Sequence, residues 1–280
     1  LGVEHTTVSR RIQALEKQMG AALFAREAGG HRLTEAGRQL LPVVEAMESA
    51  VMGAERAAPA SHEGPSGLVR VGATEGFGTL ILAPHLAQLT RKHPHLSIDL
   101  LALPRMLHLS RREADIVISL ERPTRGSVIV SKLADYTLHL YGQREYLVRR
   151  PLVTQREDLR HHAFISYVDD LLFTKELQFL DQLYPPERFA FRSTSIAAQY
   201  EAVRAGAGLA VLPAFLADRD PVLARVLPAE ARFTRTFWMS MPAESKHLAR
   251  MQAVWAFLKE TVVGEAKQLM PDGAGNVSRL

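Results

Sequence analysis

The chain has 280 residues, enough for roughly two or three domains with separate hydrophobic cores. A net charge of +4 and a pI near 9.5 suit a nucleic-acid partner, although many other proteins share these values. The absence of cysteine excludes disulfide scaffolds, thiolate metal sites and cysteine nucleophiles, and no apolar run approaches the roughly eighteen residues of a membrane helix.

The first predicted helix begins near Thr6, where threonine hydroxyls can cap the helix N-terminus. Apolar residues then recur at spacings of four and three along one stripe: Val8, Ile12 and Leu15. Hydroxyl and long basic side chains cluster in the first two turns, which is typical of a helix that enters the DNA major groove. An ordinary amphipathic surface helix remains the alternative for this segment alone. The candidate DNA contacts are His5, Thr6, Thr7, Ser9 and Arg10.

A small β wing is predicted after this helix. Leu23-Phe24-Ala25-Arg26 is followed by a glycine turn at Gly29-Gly30 and by a short return strand that ends at Leu33. Residues 9–38 contain six basic side chains against three acidic ones, and this local excess favours contact with phosphates.

The order and spacing of the helix, Leu-Phe-x-Arg, the glycine turn and Leu-Thr-x-x-Gly resemble the winged helix-turn-helix of the LysR-type transcriptional regulators. The resemblance implies that the first helix reads double-stranded promoter DNA and that the wing touches its backbone through Arg26, His31 and Arg32. The family has another helix and a half before this point, and the chain opens at Leu1 without Met. A partial DNA-binding domain is therefore expected over residues 1–33.

Residues 34–56 are predicted to form one linker helix capped by Thr34 and bent by Pro42. Heptad spacing predicts a seam between two chains, and packing within the same domain is the alternative. The family resemblance implies a homodimer or homotetramer whose DNA-binding domains contact two half-sites on DNA. The predicted dimerisation residues are Leu40, Val44, Met47, Val51 and Ala54.

Small and helix-breaking residues over 57–67 predict a hinge, beyond which strands alternate with helices. This alternation predicts an α/β domain with a mostly parallel sheet. The effector-binding domain is expected over residues 68–264, with subdomain 1 at 68–140 and 237–264, subdomain 2 at 141–236, and a frayed tail at 265–280.

Two αβ units joined by crossing strands resemble the periplasmic-binding-protein-like effector domain of LysR-type regulators. The motifs that carry this part of the resemblance are Val71-Gly72-Ala73, His93-Pro94, Ala114-Asp115-Ile116-Val117-Ile118 and the run from Ala205-Gly206-Ala207-Gly208-Leu209 to Leu212-Pro213.

Ligands of open parallel sheets bind beyond the carboxyl ends of the strands, in the crevice between two units. Turns at such places leave backbone N–H groups free to hold a carboxylate, and an arginine would complement the anion. The candidate effector-binding residues are Thr74, Glu75, Gly76, Phe77, Arg122, Ser166, Tyr167 and Ser195.

Each of these residues has another interpretation. Thr74 and Ser195 can be simple helix caps, Arg122 can be solvated, and Tyr167 can belong to the core. A carboxylate at Glu75 argues against a simple anion site, because it would repel an anion. Glu75 can instead pair with Arg122 or select a ligand that carries an amine or hydroxyl group.

The combined pattern predicts a cytoplasmic LysR-type regulator whose DNA binding responds to a small organic effector, with a carboxylate as the first candidate. A stand-alone solute-binding protein is the alternative, but it leaves residues 5–54 unexplained. Neither a nucleophile elbow, a phosphate loop nor a His-Glu-x-x-His motif occurs, and His93 and His95 lack a third ligand. No enzyme activity, metal or cofactor is predicted.

Overall fold

The computed structural model describes residues 5–27, 30–41, 43–44, 47, 64–103, 109 and 113–271. The chain forms two compact units, Leu1–Ser61 and His62–Leu280. Their boundary lies within the predicted hinge, of which residues 57–63 fall outside the described part of the chain.

The first unit contains helix α1 (His5–Met19) and a hairpin of strands β1 (Phe24–Glu27) and β2 (Gly30–Leu33), which pair antiparallel. The predicted helix and wing are therefore confirmed. Because α1 already begins at His5, Thr6 and Thr7 occupy its first turn and not the cap position. Residues 35–41, 43, 44 and 47 are also helical. Thr34 caps this helix, since its hydroxyl accepts the N–H of Gly37 at 3.1 Å.

The second unit is built on strands that alternate with helices. The strands are β3 (Gly67–Thr74), β4 (Leu96–Leu103), β5 (Ile116–Ser119), β6 (Val128–Gln143), β7 (Phe164–Ser166), β8 (Phe189–Arg192), β9 (Ala210–Pro213), β10 (Leu223–Val226) and β11 (Arg232–Pro242).

A seven-stranded sheet has the order β10-β6-β11-β5-β3-β4, with β9 also paired to β6, while β7 and β8 form a separate parallel pair. The expectation of a mostly parallel sheet was wrong. Strand β3 runs parallel to β4 and β5, but β6 and β11 make antiparallel pairs. The chain leaves the first subdomain along β6 and returns along β11, so these two crossing strands must run in opposite directions.

The helices of the second unit differ in length and type. The α-helices are α2 (Glu75–Phe77), α3 (Ala83–Lys92), α4 (Arg144–Val148), α5 (Leu180–Leu183), α6 (Ile196–Arg204), α7 (Ala214–Ala217), α8 (Ala249–Gly264) and α9 (Ala266–Leu269). A π-helical turn, Gly78–Leu82, joins α2 to α3. Short 3-10 helices occupy Arg156–His161, Asp169–Leu171, Lys175–Leu177 and Ala243–Ser245.

The segment after β7 contains only short helices, the 3-10 turn Lys175–Leu177 followed by α5. One expectation about the C-terminal residues was wrong. The predicted frayed tail is helical at α9, where Leu269 is buried and its carbonyl accepts the Thr137 hydroxyl at 3.4 Å. Tertiary contacts of residues 265–271 override their weak local pattern; residues 272–280 lie outside the described chain.

Helix α8 covers the sheet with one apolar face. Val254, Leu258 and Val262 recur every four residues, and all three are buried in the core that also contains Val69 of β3. Val263, on the opposite face, is 59% exposed. The helix therefore stabilises the sheet through a single stripe of side chains.

We expect Leu258→Ala to lower the free energy of unfolding of the second unit by about 2–5 kcal/mol, because it removes a fully buried side chain and leaves a cavity. The matched substitution Val263→Ala, on the exposed face, should change it by less than about 0.5 kcal/mol. Urea unfolding of both variants provides the measurement. Equal losses for the two would contradict the assigned orientation of α8.

Candidate functional site

The predicted DNA-reading helix presents basic side chains on its surface. Arg10 and Arg11 are exposed on α1, while Thr7 and Ser9 are half-buried. His5 and Thr6 lie in the helix, but their side chains are outside the described part of the structure. Among the apolar residues of the stripe, Val8 and Leu15 are 40% and 39% exposed.

The wing brings its predicted basic residues together. In the hairpin, Arg26 of β1 lies opposite His31 of β2, and Arg32 follows on the same strand. His31 and Arg32 are exposed, while the side chain of Arg26 is not described. The hairpin can thus present a cationic edge to phosphates, which is the geometry that backbone contact requires.

Glu16, whose role was not predicted, connects the helix and the wing of the DNA-binding unit. Glu16 of α1 accepts the backbone N–H groups of Leu23 at 2.7 Å and Phe24 at 3.1 Å, and so ties the helix to the start of the wing. The Thr34 hydroxyl donates to the Ala22 carbonyl at 2.6 Å. Gly37 packs so closely on the Leu23 carbonyl that a Cβ there would overlap it. This close contact is the reason why a glycine is required at the last position of the Leu-Thr-x-x-Gly motif, residues 33–37.

The predicted dimerisation residues are only partly described. Val44 and Met47 are 44% and 65% exposed, whereas Leu40 is half-buried. Leu41 and Val43 are exposed as well, so the apolar surface is broader than a strict heptad seam. Val51 and Ala54 lie outside the described residues.

The predicted effector-binding turns meet around one cleft in the second unit. Thr74, Glu75, Gly76 and Phe77, at the end of β3, line a cavity of about 40 Å³ together with Tyr167 and residues from the second subdomain. A space of this size holds only a few water molecules. The cleft is therefore nearly closed in this conformation.

Glu75 joins the two sides of this cleft. Its carboxylate accepts the Ser195 hydroxyl and the Ile196 backbone N–H, both at 2.9 Å. Ser195 also caps α6, since its Oγ accepts the Ala198 N–H at 3.1 Å. The suggested Glu75–Arg122 pair was wrong, because the first turn of α6 takes the carboxylate instead.

The floor of the cleft is aromatic, and it combines the predicted residue Phe77 with three residues that were not predicted: Tyr136, Phe215 and Phe237. Phe237 lies between Phe77 and Tyr136, with ring centroids 4.1 and 4.2 Å away, and Phe215 packs edge-on against Phe77 at 6.3 Å. All four residues line the cavity. Tyr136 and Phe237 lie on β6 and β11, and Phe215 lies on α7, so these three rings come from separate segments that no local motif connects.

Two tyrosines also line the cleft. Neither the Tyr136 nor the Tyr167 hydroxyl forms a hydrogen bond with a residue that the structure describes. Burial raises the pKa of both phenols above the usual range, and the charge of Glu75 raises the pKa of Tyr167 further. Both groups thus stay neutral hydrogen-bonding groups at physiological pH.

Three predicted site residues are not part of the cavity lining, and of these only Ser195 is linked to it, through its bond to Glu75. Arg122 lines a separate open cavity of about 740 Å³, and its guanidinium carbon lies 5.4 Å from the Trp238 ring centroid. Ser166 lines another cavity, of about 300 Å³, and its carbonyl accepts the N–H of Ser193 at 3.0 Å. Tyr167 borders both that cavity and the cleft.

Among the described residues, no group of three or more His, Cys, Asp or Glu side chains is placed so that it could hold a metal ion. One histidine outside the cleft, His85, places its Nε2 2.8 Å from Glu265. No helix within the described ranges is long and apolar enough to cross a membrane.

Comparisons with known proteins cover both units. Residues 1–38 match the bacterial regulatory helix-turn-helix protein, lysR family, and residues 62–263 match the LysR substrate binding domain. The Mau operon transcriptional activator of Paracoccus denitrificans is 30% identical over 278 residues, which cover 95% of this chain and 91% of that protein.

Two solved structures are similar in fold. The structure of CrgA, a LysR-type transcriptional regulator from Neisseria meningitidis, has a TM-score of 0.61 at 24% identity and covers 92% of this chain and 90% of its own. The full-length structure of the Vibrio cholerae virulence activator AphB, a member of the LTTR protein family, has a TM-score of 0.60 at 22% identity, with coverage of 91% and 89%.

The raised pKa of Tyr167 can be tested by alkaline titration. Below about pH 10 the phenol is neutral in the folded and unfolded chains alike, so its stabilising effect is complete. Above that pH the unfolded phenol ionises first and the stabilisation is lost. We therefore expect Tyr167→Phe to flatten the fall in unfolding free energy above about pH 10.

The same titration gives a direct reading by phenolate absorbance. The chain has six tyrosines, and Tyr167→Phe should leave the absorbance change up to about pH 11 unaltered in the folded protein. A smaller absorbance change in Tyr167→Phe than in the wild type over this pH range would mean that Tyr167 titrates normally.

Proposed function

The chain belongs to the LysR family of bacterial transcriptional regulators, and we propose that it binds promoter DNA as a homodimer or homotetramer under the control of a small organic ligand. The ligand would bind in the cleft lined by Glu75 and Tyr167. Ligand binding would occur without chemical turnover, and promoter DNA as a partner implies action in the cytoplasm.

For DNA contact, the observation that carries the proposal is the exposed basic surface of α1. Arg10 and Lys17 are exposed two turns apart, and Arg11 is exposed beside Arg10. Arginine can read a guanine bidentately or clamp a phosphate, and Thr7 and Ser9 can add hydroxyl contacts. We propose direct contact from these residues with His5 and Thr6, and backbone contact from Arg26, His31 and Arg32.

For assembly, the exposed apolar side chains of the linker support a self-interface. Val44 and Met47 are exposed to solvent in a single chain. Their heptad spacing places them in one apolar seam with Leu40, Val51 and Ala54. Pairing two chains would bring two heads to two half-sites of one operator.

For the regulation of DNA binding by a ligand, the closed cleft supports a mechanism in which the two subdomains separate. A ligand-sized pocket occupies about 300 Å³ or more, whereas the cleft measures about 40 Å³. A ligand therefore has to widen the cleft, and the movement would pass to the DNA-binding unit as a shift between two conformations.

The DNA contacts are testable with the substitution Arg10→Ala. We expect a loss of about 1–3 kcal/mol in promoter affinity and a smaller salt dependence, because one cationic contact is removed. Fluorescence anisotropy across a salt series gives both values. Arg149→Ala, which removes an arginine with a 79% exposed side chain from the second unit, is the control and should leave both unchanged.

The movement of the cleft is testable at Gly76, where a Cβ would lie 3.1 Å from Ile196 Cγ2. Gly76→Val should hold the subdomains apart and change promoter affinity at least about fivefold without any ligand. The control is Gly264→Val, since a Cβ at Gly264 meets nothing within 4 Å. Wild-type promoter affinity in Gly76→Val would argue against transmission from the cleft.

A further inference from the structure

The anion position of the cleft is already filled by the protein itself. Helix α6 spans nine residues, and its first turn directs the Ile196 N–H and the Ser195 hydroxyl toward the opposite subdomain. A helix N-terminus with a hydroxyl beside it is a favourable place for a carboxylate. Glu75 supplies that carboxylate, through two hydrogen bonds of 2.9 Å.

A second carboxylate would meet both a charge and a lack of space. Like charges a few ångströms apart repel strongly in a site shielded from water. The cavity next to Glu75 measures about 40 Å³, and Gly76 already lies against Ile196. A ligand carboxylate could reach the α6 N-terminus only by displacing Glu75, which would then lose both hydrogen bonds.

Two neutral hydroxyl groups belong to the lining of the cleft beside Glu75. Tyr136 is only 3% exposed, and neither its hydroxyl nor that of Tyr167 has a hydrogen bond to a described residue. A ligand that enters the cleft can therefore form hydrogen bonds with these hydroxyls without breaking existing ones.

We infer that Glu75 determines the ligand specificity of this cleft by occupying its carboxylate position. The cleft then binds a ligand that has no carboxylate. Hydroxyl or amine groups of this ligand form hydrogen bonds with Tyr136, Tyr167 and the carboxylate of Glu75. The aromatic floor of Phe77, Phe215 and Phe237 contacts the apolar part of that ligand. This inference rests on the proposed effector site and assigns its chemical class.

Removal of the resident anion provides the test. Glu75→Ala deletes a group with the size and charge of one acetate ion and leaves the Ile196 N–H and the Ser195 hydroxyl without it. In the full chain, we expect sodium acetate to raise the Tm of Glu75→Ala saturably, with an apparent Kd at least about tenfold below that for wild type. Acetamide has the same shape without the charge and should not reproduce the effect at matched ionic strength.

Two further variants test whether the response to acetate is specific to the position of Glu75. Glu201→Ala removes an exposed carboxylate from the same helix, so it should respond to acetate no more than wild type does. Glu75→Ser opens the same space with a polar side chain and serves where Glu75→Ala folds poorly. If Glu75→Ala folds only in acetate, that outcome supports the inference equally.

Contrary outcomes are equally clear. Acetate stabilising the wild type as strongly as Glu75→Ala would mean that the carboxylate position lies elsewhere. Folded Glu75→Ala or Glu75→Ser with no response to acetate would mean that the α6 N-terminus holds no anion site. None of these measurements involves DNA, so a failure of the proposed regulatory function would appear separately, in promoter binding.

Discussion

The antiparallel pairing of β6 with β11 is the constraint on which the second unit depends. The two strands pair from Arg232 opposite His139 to Pro242 opposite Val128, and their register shifts once, between Phe237 and Trp238. Strand β5 joins them on one side, and β9 and β10 pair with β6 on the other. Both subdomains attach to this one ladder, so it is the structural link between the two sides of the cleft.

Two glutamates perform the same task in the two units. Glu16 accepts backbone N–H groups at the start of the wing, and Glu75 accepts one at the start of α6. A carboxylate with such donors forms strong, charge-assisted hydrogen bonds, and it fixes the direction of the segment that follows. Both glutamates lie in regions that were expected to bind anions, yet both form hydrogen bonds that stabilise the fold. A count of local charges does not reveal this role.

Local patterns predicted the parts of the fold that neighbouring residues determine. The helix at Thr6, the wing, the Thr34 cap and the turn after Thr74 all follow from spacing within about a dozen residues. The bond from Glu75 to Ser195 spans 120 positions, and Arg122 turns toward Trp238 and not toward Glu75. Such contacts depend on how separate strands align, which periodicity does not specify, and Tyr136, Phe215 and Phe237 were missed for the same reason.

The short helix α9 sets a practical limit on how the second unit can be cut. The family match ends at residue 263, yet Glu265 contacts His85, while Leu269 and Met270 are buried in the main core. A fragment trimmed at the edge of the recognised domain would expose the apolar surface that these two side chains cover, and so would invite aggregation. An isolated effector domain for crystallisation or ligand screening should therefore extend at least to residue 271, with any affinity tag attached beyond that point.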